Sequence, residues 1–227
     1  MKHHLLTGLF TALFTVTAAG QTNRFDIGVQ GSPSVSLLWG NSYAKKYSKP
    51  TVGFSAGITF RYNLPKYLSV GTDITFEREG NLTKSDATDS EGNVIGEIVA
   101  TIRLDYLTIP VLAKFSIGNK IKFFFNAGPH FGYLIAASAA WDVPSQFSSV
   151  PPITDQTDNF KRFDIGLTTG LGLTVPVTSK FLISAEVRNN LGLYNISNYP
   201  VADGGTIQTN STHLLIGAAY LLGQRKE

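Results

Sequence analysis

Hydrophobic and polar residues alternate along most of the chain beyond residue 24. The alternation is clearest from Phe181 to Leu191, where apolar residues are separated by Ser184, Glu186, Arg188 and Asn190. A period of two places the two sets of side chains on opposite faces of a β-strand. The same pattern predicts eight strands, at residues 25–39, 52–62, 68–77, 107–117, 121–135, 163–177, 181–191 and 212–222.

The links between these predicted strands alternate in length. Short links lie at 63–66, 118–120 and 178–180, and long ones span about 40–51, 79–101, 139–160 and 195–210. Up-and-down outer-membrane barrels have short periplasmic turns and longer outer loops, and eight strands suffice to close one. The sequence therefore predicts an all-β fold, an eight-stranded antiparallel up-and-down transmembrane β-barrel. Within 79–101, the segment around Glu91-Gly92-Asn93 predicts a hairpin tip that extends two strands past the membrane.

The first twenty residues have the three parts of a secretory signal peptide. Lys2 precedes an apolar stretch from Leu5 to Val16, and small residues follow up to Gly20. An uncleaved membrane anchor is the alternative, but the apolar run is shorter than the roughly 20 residues that a spanning helix needs. We expect residues 1–20 to be a signal peptide that is cleaved near Gly20, and residues 21–227 to form one barrel domain.

Alternation alone does not say which face of the barrel points outward. Soluble eight-stranded barrels such as lipocalins hold an apolar face inside and expose a polar face to water. Here the polar face is mostly Gly, Ser and Thr with a few charges of both signs, which suits a crowded lumen. We therefore expect the apolar face to contact lipid. We expect a structural lumen network formed by Asp26, Arg61, Asp73, Glu77, Lys114, Lys122, His130, Asp164, Glu186, Arg188 and His213.

Three strands carry motifs that resemble a known family. The segment from Tyr106 to Phe115 reads Tyr-Leu-Thr-Ile-Pro-Val-Leu-Ala-Lys-Phe, Phe124 to Leu134 contains Gly-Pro, and Asp164 to Leu173 is rich in glycine. These segments resemble the PorT-like outer-membrane β-barrel proteins of Bacteroidetes. The resemblance implies a barrel in the outer membrane and no single biochemical activity, although a few family members act in protein secretion.

The composition offers little material for catalysis. The chain has no cysteine, and His130 and His213 are the only histidines beyond the predicted signal peptide. Neither histidine lies in a nucleophile-elbow motif or has zinc-ligand spacing. We therefore expect both to be hydrogen-bonded residues of the lumen. We also expect no catalytic residue, no metal and no cofactor. Glu186 and Arg188 point the same way and are expected to pair with neighbours such as Asp164 or Lys114.

The functional expectation is a non-enzymatic barrel with a filled lumen and a structural, adhesive or complex-forming role through its outer loops. A transport- or secretion-associated barrel and a membrane-embedded lipid-modifying hydrolase are the alternatives. The expected partners are outer-membrane lipid, lipopolysaccharide and envelope or secretion proteins. Lys45, Lys46 and Lys49 of the first long loop could contact anionic lipopolysaccharide groups, but a solvated basic loop is the preferred interpretation. A formal charge of only +3 argues against nucleic acid.

Overall fold

The computed structural model describes residues 25–64, 66–144, 151–201 and 204–222, so the predicted signal peptide lies outside the described residues. Within these ranges no helix is long and apolar enough to cross a membrane. A short helix α1 (Ser42–Tyr47) and a 3₁₀ turn at Thr157–Asn159 accompany the strands. The strands are β1 (Phe25–Trp39), β2 (Ser48–Lys49), β3 (Thr51–Asn63), β4 (Leu68–Thr88), β5 (Val94–Ile117), β6 (Lys122–Asp142), β7 (Ile153–Asp155), β8 (Phe163–Pro176), β9 (Phe181–Gly192) and β10 (Gln208–Leu222).

The eight long strands form a closed antiparallel ring. Each pairs with the next long strand in the chain, and β1 pairs with β10 to close the ring between Phe25↔Leu222 and Trp39↔Gln208. The two short strands lie outside the ring order, with β2 paired to β4 and β7 paired to β6. The predicted eight-stranded up-and-down barrel is confirmed, including its three short connections.

The barrel wall is apolar on the outside and polar on the inside. Outward side chains such as Val52, Leu171 and Phe163 are 78%, 65% and 64% exposed, whereas the inward Asp73 and Thr168 are fully buried. The lipocalin-type arrangement, with an apolar interior, is therefore wrong. In a bilayer this orientation leaves the apolar band in contact with lipid.

Paired aromatic side chains mark the two ends of the apolar band. Contacts near the short turns join Phe25 to Tyr62, Tyr67 to Phe115, and Phe181 to Tyr220, and contacts near the outer end join Phe54 to Phe76 and Tyr133 to Phe163. On β3, eight residues separate Phe54 from Tyr62, or about 27 Å along the strand. A strand tilt of about 40° makes this a band roughly 20 Å tall, close to the thickness that outer-membrane barrels present to lipid.

Strands β4 and β5 continue far beyond the outer aromatic residues. β4 runs twelve residues past Phe76, to Thr88, and only the turn 89–93 separates it from β5. Twelve residues correspond to about 40 Å of strand, or roughly 30 Å of height at the same tilt. The predicted hairpin extension is confirmed, and most of the predicted loop 79–101 is strand.

Candidate functional site

A cluster of four charged side chains crosses the middle of the lumen. Arg61 donates to Asp73 Oδ1 at 2.6 Å, and Arg188 donates to Asp73 Oδ2 at 2.8 Å. Arg188 also donates two parallel hydrogen bonds to Glu186, from Nε to Oε1 at 2.7 Å and from Nη2 to Oε2 at 3.0 Å. The two arginines neutralise the two carboxylates. A charge that is buried needs such an opposite charge beside it. We call Arg61, Asp73, Glu186 and Arg188 the central layer.

Uncharged amides complete the central layer. Gln30 donates to Asp73 Oδ2 at 3.1 Å, and Asn126 donates to Glu186 Oε1 at 3.0 Å. A glycine on the adjacent strand β8 makes room for Glu186, because a Cβ at Gly170 would lie only 2.3 Å from Glu186 Oε1. The small residues of β8 therefore leave space for side chains that reach across the lumen from β9.

The pairing of Glu186 and Arg188 differs from the expectation. They bind each other, and Arg188 reaches Asp73 rather than Asp164 or Lys114. These partners cannot be ranked from the sequence, since Asp73 lies 115 residues away from Arg188. Their relative position depends on the strand order and on the stagger of the strands around the ring.

A second chain of hydrogen bonds lies on the outer side of the central layer. Glu77 accepts from the Thr108 hydroxyl at 3.1 Å and from the Asn190 amide at 3.2 and 3.3 Å. The Asn190 amide oxygen accepts from Thr168 at 2.7 Å, and Thr168 also contacts His130 Nδ1 at 3.0 Å. Because the Thr168 proton goes to Asn190, the Thr168 oxygen accepts from His130 Nδ1–H. His130 is thus a hydrogen-bonded lumen residue.

His213 lies between two serines. Its Nδ1 is 3.2 Å from the Ser32 hydroxyl, and its Nε2 is 3.0 Å from the Ser211 hydroxyl. All three residues are buried in the barrel interior. A serine nucleophile needs a substrate to reach it, and these hydroxyls face the packed lumen instead.

The remaining predicted residues are distributed along the lumen. Asp164 accepts from Thr209 at 2.7 Å near the outer end, and Asp26 accepts from Asn63 at 3.0 Å near the short turns. Lys114 places its ammonium 3.7 Å from the centroid of the Phe124 ring. Lys122 is exposed at the barrel mouth because it is the first residue of its strand, so it does not join the buried network.

Several residues that belong to the lumen network lie outside the predicted set. Glu79 is buried, although the pattern predicts a loop at its position. Gln30, Asn126 and Asn190 bond carboxylates directly, and Thr168 bonds Asn190, yet as uncharged residues they have no distinguishing signal in the sequence. Their position on the polar face of the alternation was the one available clue.

An apolar cluster fills the outer mouth above these polar layers. Two of its members come from outer loops, Phe160 and Ile196, and the backbone of Lys161 donates to the Ile196 carbonyl at 2.7 Å. Both loop side chains are buried against inward residues of the strands. We call this cluster the outer plug, formed by Leu38, Leu104, Tyr106, Leu134, Ala137, Phe160 and Ile196.

We call the extension of β4 and β5 beyond Phe76 and Leu107, residues 77–106, the tall hairpin. Its tip is organised around one carboxylate. Asp89 Oδ1 accepts from the backbone N–H of Glu91 at 2.9 Å and of Asn93 at 2.8 Å, and Oδ2 accepts from the Asn93 amide at 3.1 Å. The Asn93 side chain, followed by these backbone donors, holds the pKa of Asp89 below its usual range. In the part of the chain that the structure describes, no group of three or more histidines or carboxylates could hold a metal ion.

Comparison with known sequences decides the family. Residues 18–198 match the family described as outer membrane protein beta-barrel domain. The chain belongs to this family. Its location in the outer membrane follows, in agreement with the outward apolar band. A comparison with curated proteins found no match.

Solved structures with a similar fold include three small outer-membrane barrels. Neisserial surface protein A is 15% identical, with a TM-score of 0.49, and the match covers 90% of this chain and 100% of that one. The attachment invasion locus protein Ail of Yersinia pestis is 14% identical, with a TM-score of 0.42 and coverage of 87% and 98%. OprG of Pseudomonas aeruginosa is 15% identical, with a TM-score of 0.44 and coverage of 88% and 97%.

Proposed function

We propose that this protein is a non-enzymatic outer-membrane barrel with a closed lumen, and that it acts through its outer surface. One observation carries the proposal: the apolar outer plug lies over a lumen crossed by paired charges. An ion that crossed the barrel would have to displace both. The buried histidines bond to hydroxyl groups in the lumen, His130 to Thr168 and His213 to Ser32 and Ser211, and this supports a structural rather than a catalytic role.

Conductance across a planar bilayer tests the closed lumen. We expect the purified wild-type barrel to give no sustained channel at moderate voltage. A variant that loses both the plug and the central layer, with Phe160→Ala, Ile196→Ala and Arg188→Ala combined, should conduct. Sustained open channels of the wild type would contradict the proposal and favour the transport- or secretion-associated barrel, which the polar cavity at the short-turn end supports.

The tall hairpin is the surface that we propose for complex formation with envelope or secretion proteins. Its height of roughly 30 Å carries it clear of the lipid headgroups, and Val94 near its tip is 64% exposed. A photo-crosslinking residue at Val94 should give a discrete adduct in intact cells. The same residue at the lipid-facing Ile58 is the control, and an identical adduct pattern from both positions would contradict the hairpin's role.

A basic patch beside the outer aromatic residues is the place that we propose for contact with lipopolysaccharide. Lys161 lies 4.8 Å from the Tyr194 ring, and Arg162 is exposed beside Phe163. Phosphate groups of the outer leaflet would meet these cations at the level of the aromatic contacts. We expect Lys161→Gln with Arg162→Gln to reduce the amount of lipopolysaccharide that copurifies. Lys84→Gln, on the tall hairpin, should leave it unchanged.

The PorT-like assignment is part of the same proposal. The motifs at residues 106–115, 124–134 and 164–173 support it, and they form β5, β6 and β8. Exchange of these three strands with those of a characterised PorT-like barrel should preserve folding, since the motifs form part of the barrel wall. Failure of the chimera to fold, with both parents folding, would count against the assignment.

A further inference from the structure

A polar cavity occupies the end of the barrel that opens between the short turns. Its volume is about 670 Å³, within the size range of small-molecule sites. Its lining includes Arg61 and Glu186 of the central layer, which thus forms the inner boundary of the cavity. The short turns of an outer-membrane barrel face the periplasm. The cavity is therefore a blind pocket that is accessible from the periplasm.

The charges that line the cavity are unbalanced. Arg61 and Glu186 are already paired with Asp73 and Arg188. Three lysines remain, Lys66, Lys114 and Lys122, against the single carboxylate of Asp26. A cleft lined by an excess of one charge sign, with low-dielectric walls, concentrates ions of the opposite sign.

Lys114 lies deepest of these lysines, on the face of the Phe124 ring. Among the residues that the structure describes, no carboxylate lies within the 4.0 Å ion-pair distance of its ammonium group. The aromatic face offsets part of the cost of its partial burial. Ser116 and Ser184 line the same cavity and offer hydroxyl donors. An ammonium with such neighbours is suited to an oxyanion.

We propose that this cavity is a binding site for a small solute with a carboxylate or phosphate group. Lys114 contacts the oxyanion, and Lys122 and Lys66 at the mouth attract it from the periplasm. Because the central layer blocks further passage, the solute binds and leaves by the same opening. The site is separate from the outer surface. The single opening rests on the proposed closed lumen, whereas oxyanion binding at Lys114 is measured without reference to conductance.

Nuclear magnetic resonance of lysine side chains tests the site directly. The folded barrel is prepared in dodecyl maltoside micelles and its lysines are ¹³C-dimethylated, which preserves their charge. Inorganic phosphate is then titrated at constant ionic strength against chloride, and acetate serves as a parallel arm. We expect a saturable shift of the Lys114 signal. Saturation by acetate alone would assign the site to carboxylates, and saturation by phosphate alone would assign it to phosphates.

Variants separate the site from general charge effects. Lys114→Met should weaken binding at least tenfold, as read from the remaining mouth lysines, whereas Lys114→Arg should retain most of it. Lys84→Met, which removes an exposed lysine of the tall hairpin, should change nothing. Circular dichroism establishes that each variant is folded. Shifts that never saturate, shifts that are equal in chloride, or undiminished binding by folded Lys114→Met would overturn the proposal.

Discussion

Replacement of Arg188 by methionine tests the energetic role of the central layer. Arg188 is 3% exposed and makes three charged hydrogen bonds, two to Glu186 and one to Asp73. Methionine fills much of the same space but carries no charge. Removal of one partner from a buried ion pair typically costs about 3–5 kcal/mol, because the other charge is left buried and uncompensated.

The structure places the expected cost near the lower end of that range. Asp73 keeps Arg61 and Gln30 after the change, so most of the loss falls on Glu186. Among the described residues, Glu186 keeps one hydrogen-bond donor, the Asn126 amide, and it lines the cavity that opens to the periplasm. We therefore expect Arg188→Met to lower the free energy of unfolding by about 3 kcal/mol.

Urea titration in lipid vesicles, followed by tryptophan fluorescence, measures this change. Trp39 and Trp141 are the two tryptophans of the chain and both lie toward the outer end. Adding Glu186→Gln to Arg188→Met should recover at least about 1 kcal/mol, since it removes the stranded charge. Lys84→Met breaks the exposed Lys84–Glu97 pair and should cost less than about 0.5 kcal/mol. A loss below about 1 kcal/mol for Arg188→Met, or a double variant no more stable than the single one, would refute the reasoning.

Three further predictions concern the lipid face, a turn and the hairpin tip. Ile58→Arg, midway between the aromatic residues Phe54 and Tyr62 of β3, should cost about 2–4 kcal/mol in vesicle unfolding, whereas Ile153→Arg on β7, outside the apolar band, should be nearly neutral. Gly118→Ala should destabilise the barrel by more than Gly92→Ala. Both glycines have positive φ, but a Cβ at Gly118 would lie 2.2 Å from the Ile121 carbonyl oxygen, whereas a Cβ at Gly92 would meet nothing within 4 Å. Equal losses of unfolding free energy in urea would contradict this. Folding lowers the Asp89 pKa, so the ionised carboxylate stabilises the hairpin tip at pH values above the unfolded pKa of about 3.8. This stabilisation disappears as the pH falls through the lower pKa of the folded state. Hydrogen exchange of the Asn93 amide should rise in that acidic range, and Asp89→Asn should remove the pH dependence.

The alternation of side chains made most of the wall predictable. A period of two assigns each strand residue to one of the two faces of the sheet, and a shift by one residue would exchange the two faces. Asp73, Glu186 and Arg188 could therefore be placed in the lumen from sequence alone. The hairpin extension was also predictable, because Glu91-Gly92-Asn93 is a turn signal between two strand-like segments.

Two features lay beyond the pattern for physical reasons. Phe160 and Ile196 belong to irregular segments, where no periodicity shows which way a side chain points, so the outer plug was not foreseen. Lys122 follows the alternation but begins its strand, and a long flexible side chain at a strand end reaches water rather than the lumen. The pairing of charges across the lumen depends on strand stagger, which one sequence does not reveal.

The bonds across the lumen join parts of the chain that lie far apart in the sequence. Arg188 and Asp73 are 115 residues apart, Asn190 and Glu77 are 113 apart, and the Ser32–His213 contact spans 181 residues across the β1–β10 seam. An open sheet cannot satisfy these groups, and neither can a ring that closes with one hairpin missing. The cross-lumen bonds therefore depend on the strand count, because the complete ring is what brings Arg188 to Asp73 and Asn190 to Glu77.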